Sequence, residues 1–232
     1  MKIRSFLLSA FAITTSLHAQ DDLIKKISAN KSDTVGFRFT TVVSAETTPV
    51  QDQGSSGTCW SYSTGSFLES EMIKHGGPSI HLSKIYAARK VYEEKAVNYL
   101  RMHGSLNYGD GGLGHDAVNM YGKYGAMPEE AYTGLNFGND ENEFAEMQAV
   151  LKGMLDALVK APNDGKLTPV WRNAFNGVLD AYLGEVPEEF TYNGKTYTPK
   201  SFADNVVKLK ADDYVEFISG TDAPYYTRTT LM

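Results

Sequence analysis

The junction at residues 51–60 constrains this chain more than any other feature. Gln51-Asp52-Gln53-Gly54-Ser55-Ser56-Gly57-Thr58 is a run of small, polar and glycine residues, a composition that takes tight turns. Trp60, Thr64, Phe67, Leu68 and Met72 then recur at the spacing of one helix face. His75 falls in the last turn, and Gly76-Gly77-Pro78 stops the helix. Cys59, the one cysteine of the chain, therefore stands at the N-terminus of a helix entered from a glycine-rich loop. A lone cysteine excludes an intrachain disulfide and a four-cysteine zinc site.

A cysteine without context is most often a small buried hydrophobe. This position argues for chemistry instead. A helix N-terminus carries about half a positive charge, a field that favours thiolate over thiol. The thiolate is the nucleophilic form. Small residues before it let a substrate backbone approach closely. Gln53 lies six residues upstream on the same loop. Its side-chain amide and the backbone N–H of Cys59 are candidate donors to a developing oxyanion.

The segment from Gln53 to Ser63 resembles the active-site segment of papain-like cysteine peptidases, and most closely the branch of bleomycin hydrolase and the bacterial aminopeptidases C. Ser56 stands where papain proper has a disulfide-forming cysteine, as in that branch. His81-Leu82-Ser83-Lys84-Ile85-Tyr86 resembles the leucine-serine motif that opens the family's next helix. Gly109-Asp110-Gly111-Gly112, then Ala117 to Gly125 and Met127-Pro128, resembles its double-glycine substrate wall and following helix. Tyr197 to Tyr226 is similar to the insertion that separates this branch from papain.

The resemblance implies an α+β papain-like fold. Its helical, nucleophile-bearing half would occupy 45–135, and part of the insertion 136–232. It implies peptide substrates, Cys59 as nucleophile, Gln53 as oxyanion donor, and Asp110, Gly111 and Gly112 lining the cleft, with a main-chain bond to substrate near Gly112. It implies no cofactor. Rings of subunits occur in the branch, so a homo-oligomer is possible for the full-length protein.

The mechanism also needs a histidine base and an asparagine to orient it. His18 falls in the leader and His75 is about four helical turns from Cys59. His81 and His103 sit at helix edges, solvated or capping. His115 lies beside the glycine wall, but no family motif surrounds it. The expectation is a chain that holds the nucleophile half, lacks most of the barrel half, and hydrolyses nothing alone. The alternative is a papain-like binding module without catalysis. The joint presence of Gln53, Cys59 and Trp60 weighs against it.

Elsewhere the reading is plainer. Lys2 and Arg4, the apolar Phe6–Ile13 and Leu17-His18-Ala19 follow the pattern of a secretory signal peptide over 1–19. The apolar run is shorter than the ~20 residues of a membrane span. Its removal takes the formal charge from −6 to −8 and leaves an exported chain with an unpaired thiol. Such an acidic chain has no basic surface for nucleic acid, and no later run suits a membrane. Residues 20–44 read as a polar tail, with a short extended piece over Phe37–Val43. Helices are expected over about 82–103, 115–124, 144–159 and 169–184, and a short one over Pro199–Lys208. Phe190 to Tyr197, centred on Asn193-Gly194, is a hairpin signal. Strands are expected at Tyr214–Ile218 and from Tyr226 onward. Paired acids such as Glu93-Glu94 and Glu129-Glu130 read as solvated faces, and Asn139-Asp140-Glu141-Asn142 lacks calcium-loop spacing.

Overall fold

Three helices built on the predicted apolar faces carry the centre of the molecule. The computed structural model describes residues 40–161, 166–217 and 224–227. The expected signal and most of the tail lie outside them. Helix α1 spans Cys59–Lys74 and buries Trp60, Leu68 and Met72. It stops at His75 and Gly76, where φ is +77°. Helix α2 spans Lys84–Arg101. Ser83 caps it, its hydroxyl accepting from the Tyr86 N–H at 3.0 Å. Ile85, Ala88, Val91, Tyr92 and Ala96 form its inner face. Helix α3, Gly114–Tyr124, ends at Gly125 with φ +84°. A Cβ there would sit 2.3 Å from the Pro199 carbonyl oxygen, so only glycine fits. The three helices pack against one another in pairs.

Helices α4 (Ala145–Val159) and α5 (Val170–Leu183) form a second layer, joined through Met147, Leu151, Leu155, Phe175 and Leu179. Arg89 of α2, almost fully buried, ties that layer down. It donates to the Gly184 carbonyl at 2.7 Å, to Asp180 at 2.6 Å and to the Tyr132 hydroxyl at 3.1 Å.

The hairpin forms as its turn residues demand. Strands β1 (Phe190–Tyr192) and β2 (Lys195–Tyr197) pair antiparallel, Phe190 opposite Tyr197. Asn193 and Gly194 both take positive φ, +48° and +75°, as a two-residue hairpin turn requires. Phe190, Tyr192 and Tyr197 close edge-on around Phe202, with centroids 5.4, 5.3 and 5.8 Å away. Phe202 ends the short helix α6, Pro199–Phe202, which widens into one π-type turn over Ala203–Val207.

Of the two later strands, the one expected at Tyr214–Ile218 is not found among the described residues, and the one from Tyr226 onward falls mostly outside them. Tyr214–Phe217 follows a 3-10 turn, Ala211–Asp213, without regular structure, and Val215 and Phe217 are exposed. The residues alternate as a strand would, but no neighbouring edge pairs with them among the described residues. Tyr226 sits in a turn with φ +62°, and 228–232 lie outside the described residues. Thr40–Val43 likewise joins no strand. No helix among the described residues is long and apolar enough to cross a membrane.

Candidate active site

The loop before α1 is knotted by its own polar side chains. Asp52 accepts from the Gly54 N–H at 2.9 Å. The Ser56 hydroxyl donates to the Gln53 carbonyl at 2.7 Å, and the Gln53 amide Nε2 donates to the Ser56 carbonyl at 2.6 Å. Gly54 takes φ +61°, and a Cβ on it would meet the Asn142 carbonyl oxygen at 2.8 Å. The same neighbouring strip accepts the loop at Ser55, whose carbonyl receives the Phe144 N–H at 3.3 Å. Thr58 is fully buried, and its carbonyl starts the helix by accepting from Ser61 and Tyr62 at 2.8 and 3.0 Å.

Cys59 is the first residue of α1 and is exposed. The first turn carries no acidic side chain, so no carboxylate there opposes an anion at the helix terminus. Gln53 uses one amide hydrogen inside its loop, and a side-chain amide has two.

The glycine wall stands beside this junction. The Asp110 carboxylate accepts from the Gly57 N–H at 2.7 Å, and the Asp110 carbonyl accepts from the Trp60 indole Nε1 at 2.9 Å. A Cβ on Gly112 would lie 2.7 Å from the Trp60 ring. Lys95 of α2 donates to the Gly109 carbonyl at 3.3 Å and also to that of Gly111. Burial lowers the Lys95 pKa, opposed by Asp116 and Asp110. The structure thus brings Cys59, Gln53, Asp110, Gly111 and Gly112 into one loop cluster, with the Asp110 carboxylate turned onto Gly57.

Beneath the loop lies a buried charged node that the sequence reading missed. Glu69 and Lys84 are almost completely buried and paired. Glu69 also accepts from the Leu82 N–H at 2.8 Å, from Thr48, and lies 3.3 Å from His81 Nδ1. Lys84 reaches Gln51, two residues before Gln53. Ser61 donates to the Lys84 carbonyl at 2.7 Å. Burial pushes the nearby Glu129 carboxyl up to about 7, with Lys84 opposing and Glu69 and Glu130 adding to the rise. Glu129 is therefore not the solvated face its sequence suggests. One signal was present: Glu69 lies between Leu68 and Met72 on the inward side of the helix.

Among the described residues, three histidines lie against carboxylates. His75 caps the far end of α1. His81 is drawn onto Glu69 rather than solvated. His103 follows α2 with φ +51°. His115 Nδ1 sits 2.8 Å from Glu216, at a pocket of about 330 Å³ lined by Ser63, Phe67, Val118 and Tyr214. His18 lies outside the described residues. No cluster of three or more metal-ligating side chains occurs among the described residues.

No protein-family profile matches the chain. It is 25% identical over 235 residues to aminopeptidase G of Lactobacillus delbrueckii subsp. lactis, covering 86% of this chain and 54% of that protein. The crystal structure of PepW from Lactobacillus rhamnosis HN001 shares its fold with a TM-score of 0.55 at 17% identity, over 89% of this chain and 56% of the other. The chain thus spans about half the length of each. Over that half, the likeness to aminopeptidase G and the fold shared with PepW agree with the resemblance to the bleomycin hydrolase and aminopeptidase C branch that the sequence carries.

Proposed function

We propose that this chain is the nucleophile-bearing part of a papain-like cysteine peptidase, with aminopeptidase activity in the whole protein. The observation that carries the reading is the exposed Cys59 at the start of α1, flanked by the Gln53 loop and the Gly111–Gly112 wall. The likeness to aminopeptidase G supports it. On this reading the Cys59 thiolate attacks a peptide carbonyl carbon. The Cys59 N–H and the second Gln53 amide hydrogen receive the oxyanion. Collapse expels the amine, which takes its proton from a histidine, and water then hydrolyses the thioester. That histidine and its asparagine are assigned to the part of the relatives' length that this chain does not span. Residues 1–19 are proposed to direct export.

The test compares two proteins on aminoacyl fluorogenic substrates. The full-length protein should turn over, Cys59→Ser should abolish turnover, and Gln53→Ala should lower kcat by about a hundredfold or more. The 232-residue chain alone should be silent. Turnover that survives Cys59→Ser would overturn the reading.

A further inference from the structure

We propose that Asp110 is a positioning residue that clasps the chain on both sides of Cys59 and sets the glycine wall against the thiol. It does not bind substrate through its carboxylate. This rests on the peptidase reading for its consequence, though not for its geometry.

Asp110 makes two hydrogen bonds to a segment fifty or more positions away in sequence. Its carboxylate holds the N–H of Gly57, two residues before Cys59, at 2.7 Å. Its carbonyl holds the indole N–H of Trp60, one residue after Cys59, at 2.9 Å. The fit is close from both directions. A Cβ on Gly57 would fall 2.4 Å from the Asp110 carboxylate, and one on Gly112 would fall 2.7 Å from the Trp60 ring. Two glycines therefore mark the places where the loops interlock. From behind, Lys95 of α2 holds the carbonyls of Gly109 and Gly111, and the fully buried Tyr92 places its hydroxyl 3.5 Å from the Asp110 carbonyl. The wall is thus anchored to α2 and clasped to the start of α1. A carboxylate bonded to a backbone N–H is a charge-assisted bond, stronger and shorter than a neutral one. An amide oxygen at the same place would preserve the acceptor and lose only the charge. The clasp matters for chemistry because a displacement of about 1 Å between substrate and nucleophile costs on the order of a hundredfold in rate.

The experiment separates alignment from reactivity in the full-length protein, with modification followed at Cys59 by peptide mass spectrometry. Iodoacetamide is small and needs no wall. An aminoacyl chloromethyl ketone must lie along it. Asp110→Ala should lower the ketone rate by roughly ten- to a hundredfold and leave the iodoacetamide rate little changed. Asp110→Asn should restore most of the ketone rate. Gly57→Ala, which pushes the carboxylate away from the other side, should reproduce the selective loss. Equal losses in Asp110→Ala and Asp110→Asn would make the charge a substrate contact and overturn the proposal. An unchanged ratio of the two rates in both Asp110→Ala and Gly57→Ala would overturn it too. Hydrogen exchange at the Gly57 amide reads the clasp without any reagent. It should be faster in Asp110→Ala, which removes its acceptor, and remain slow in Asp110→Asn, and unchanged exchange in Asp110→Ala would refute the clasp. If the parent protein shows no preference for the ketone, the peptidase reading fails, and the exchange data still decide the clasp.

Discussion

Two regions of this molecule bury side chains with opposite chemistry. Under the Cys59 loop, the buried groups are polar: Glu69, Lys84, Thr48, Thr58 and Ser61. Around Phe202 they are aromatic rings in edge contact. A hydrogen-bonded charge has one good geometry, and losing a partner strands the other in a low dielectric. Aromatic and aliphatic groups lose packing when changed, but they strand no charge. The first region is therefore brittle and exact in position, as a support for Gln51 and the loop before Cys59 needs. The second is tolerant and serves mainly to hold the hairpin against its helix.

The largest expected effect is at the node. Glu69→Ala leaves Lys84 buried beside a gap and should destabilise by about 3–5 kcal/mol, read from urea midpoints. Glu69→Leu combined with Lys84→Met should recover most of that loss, because the charge is removed as a pair. If the double variant is as unstable as Glu69→Ala, the contrast between the two regions breaks.

Next comes pH. Glu129 is raised to about 7 from an ordinary 4.5, chiefly by burial. The folded state therefore holds a proton that the unfolded state releases. The stability this gives is fully present below about pH 4.5 and is lost as pH rises through about 7. Unfolding measured across pH 5–8 should show stability falling by at most about 3 kcal/mol from this group, and Glu129→Gln should flatten the slope.

The smallest effect is in the aromatic region. Phe202→Leu should cost about 1.5 kcal/mol and leave the Cys59 alkylation rate unchanged. A larger loss, or a changed alkylation rate, would show that the hairpin region is coupled to the site and sharpen the comparison into a gradient.

Much of the local structure was legible. The face of Trp60, Leu68 and Met72, the Gly125 stop and the Asn193-Gly194 turn each follow from residues a few positions apart. Phe67 belonged to the same expected face yet is exposed, edge-on to Tyr214 at 5.5 Å. The alternation at Tyr214–Phe217 read as a strand for the same local reason. A strand needs an edge to pair with, and periodicity cannot supply one. His81 and Glu129 looked like surface groups because their neighbours in sequence are polar, whereas their neighbours in space are Glu69 and Lys84.

By itself the sequence determined where the helices begin and end, where the hairpin turns, and that one cysteine opens a helix after a glycine-rich loop. Those are consequences of backbone and side-chain preferences acting over a few residues. Only the tertiary structure decided that the Asp110 carboxylate bonds to Gly57, that Lys84 reaches Gln51, and that His115 lies against Glu216. Those contacts join positions tens of residues apart. Burial decides whether such a charge is solvated or paired, and burial belongs to the packed molecule rather than to any stretch of chain.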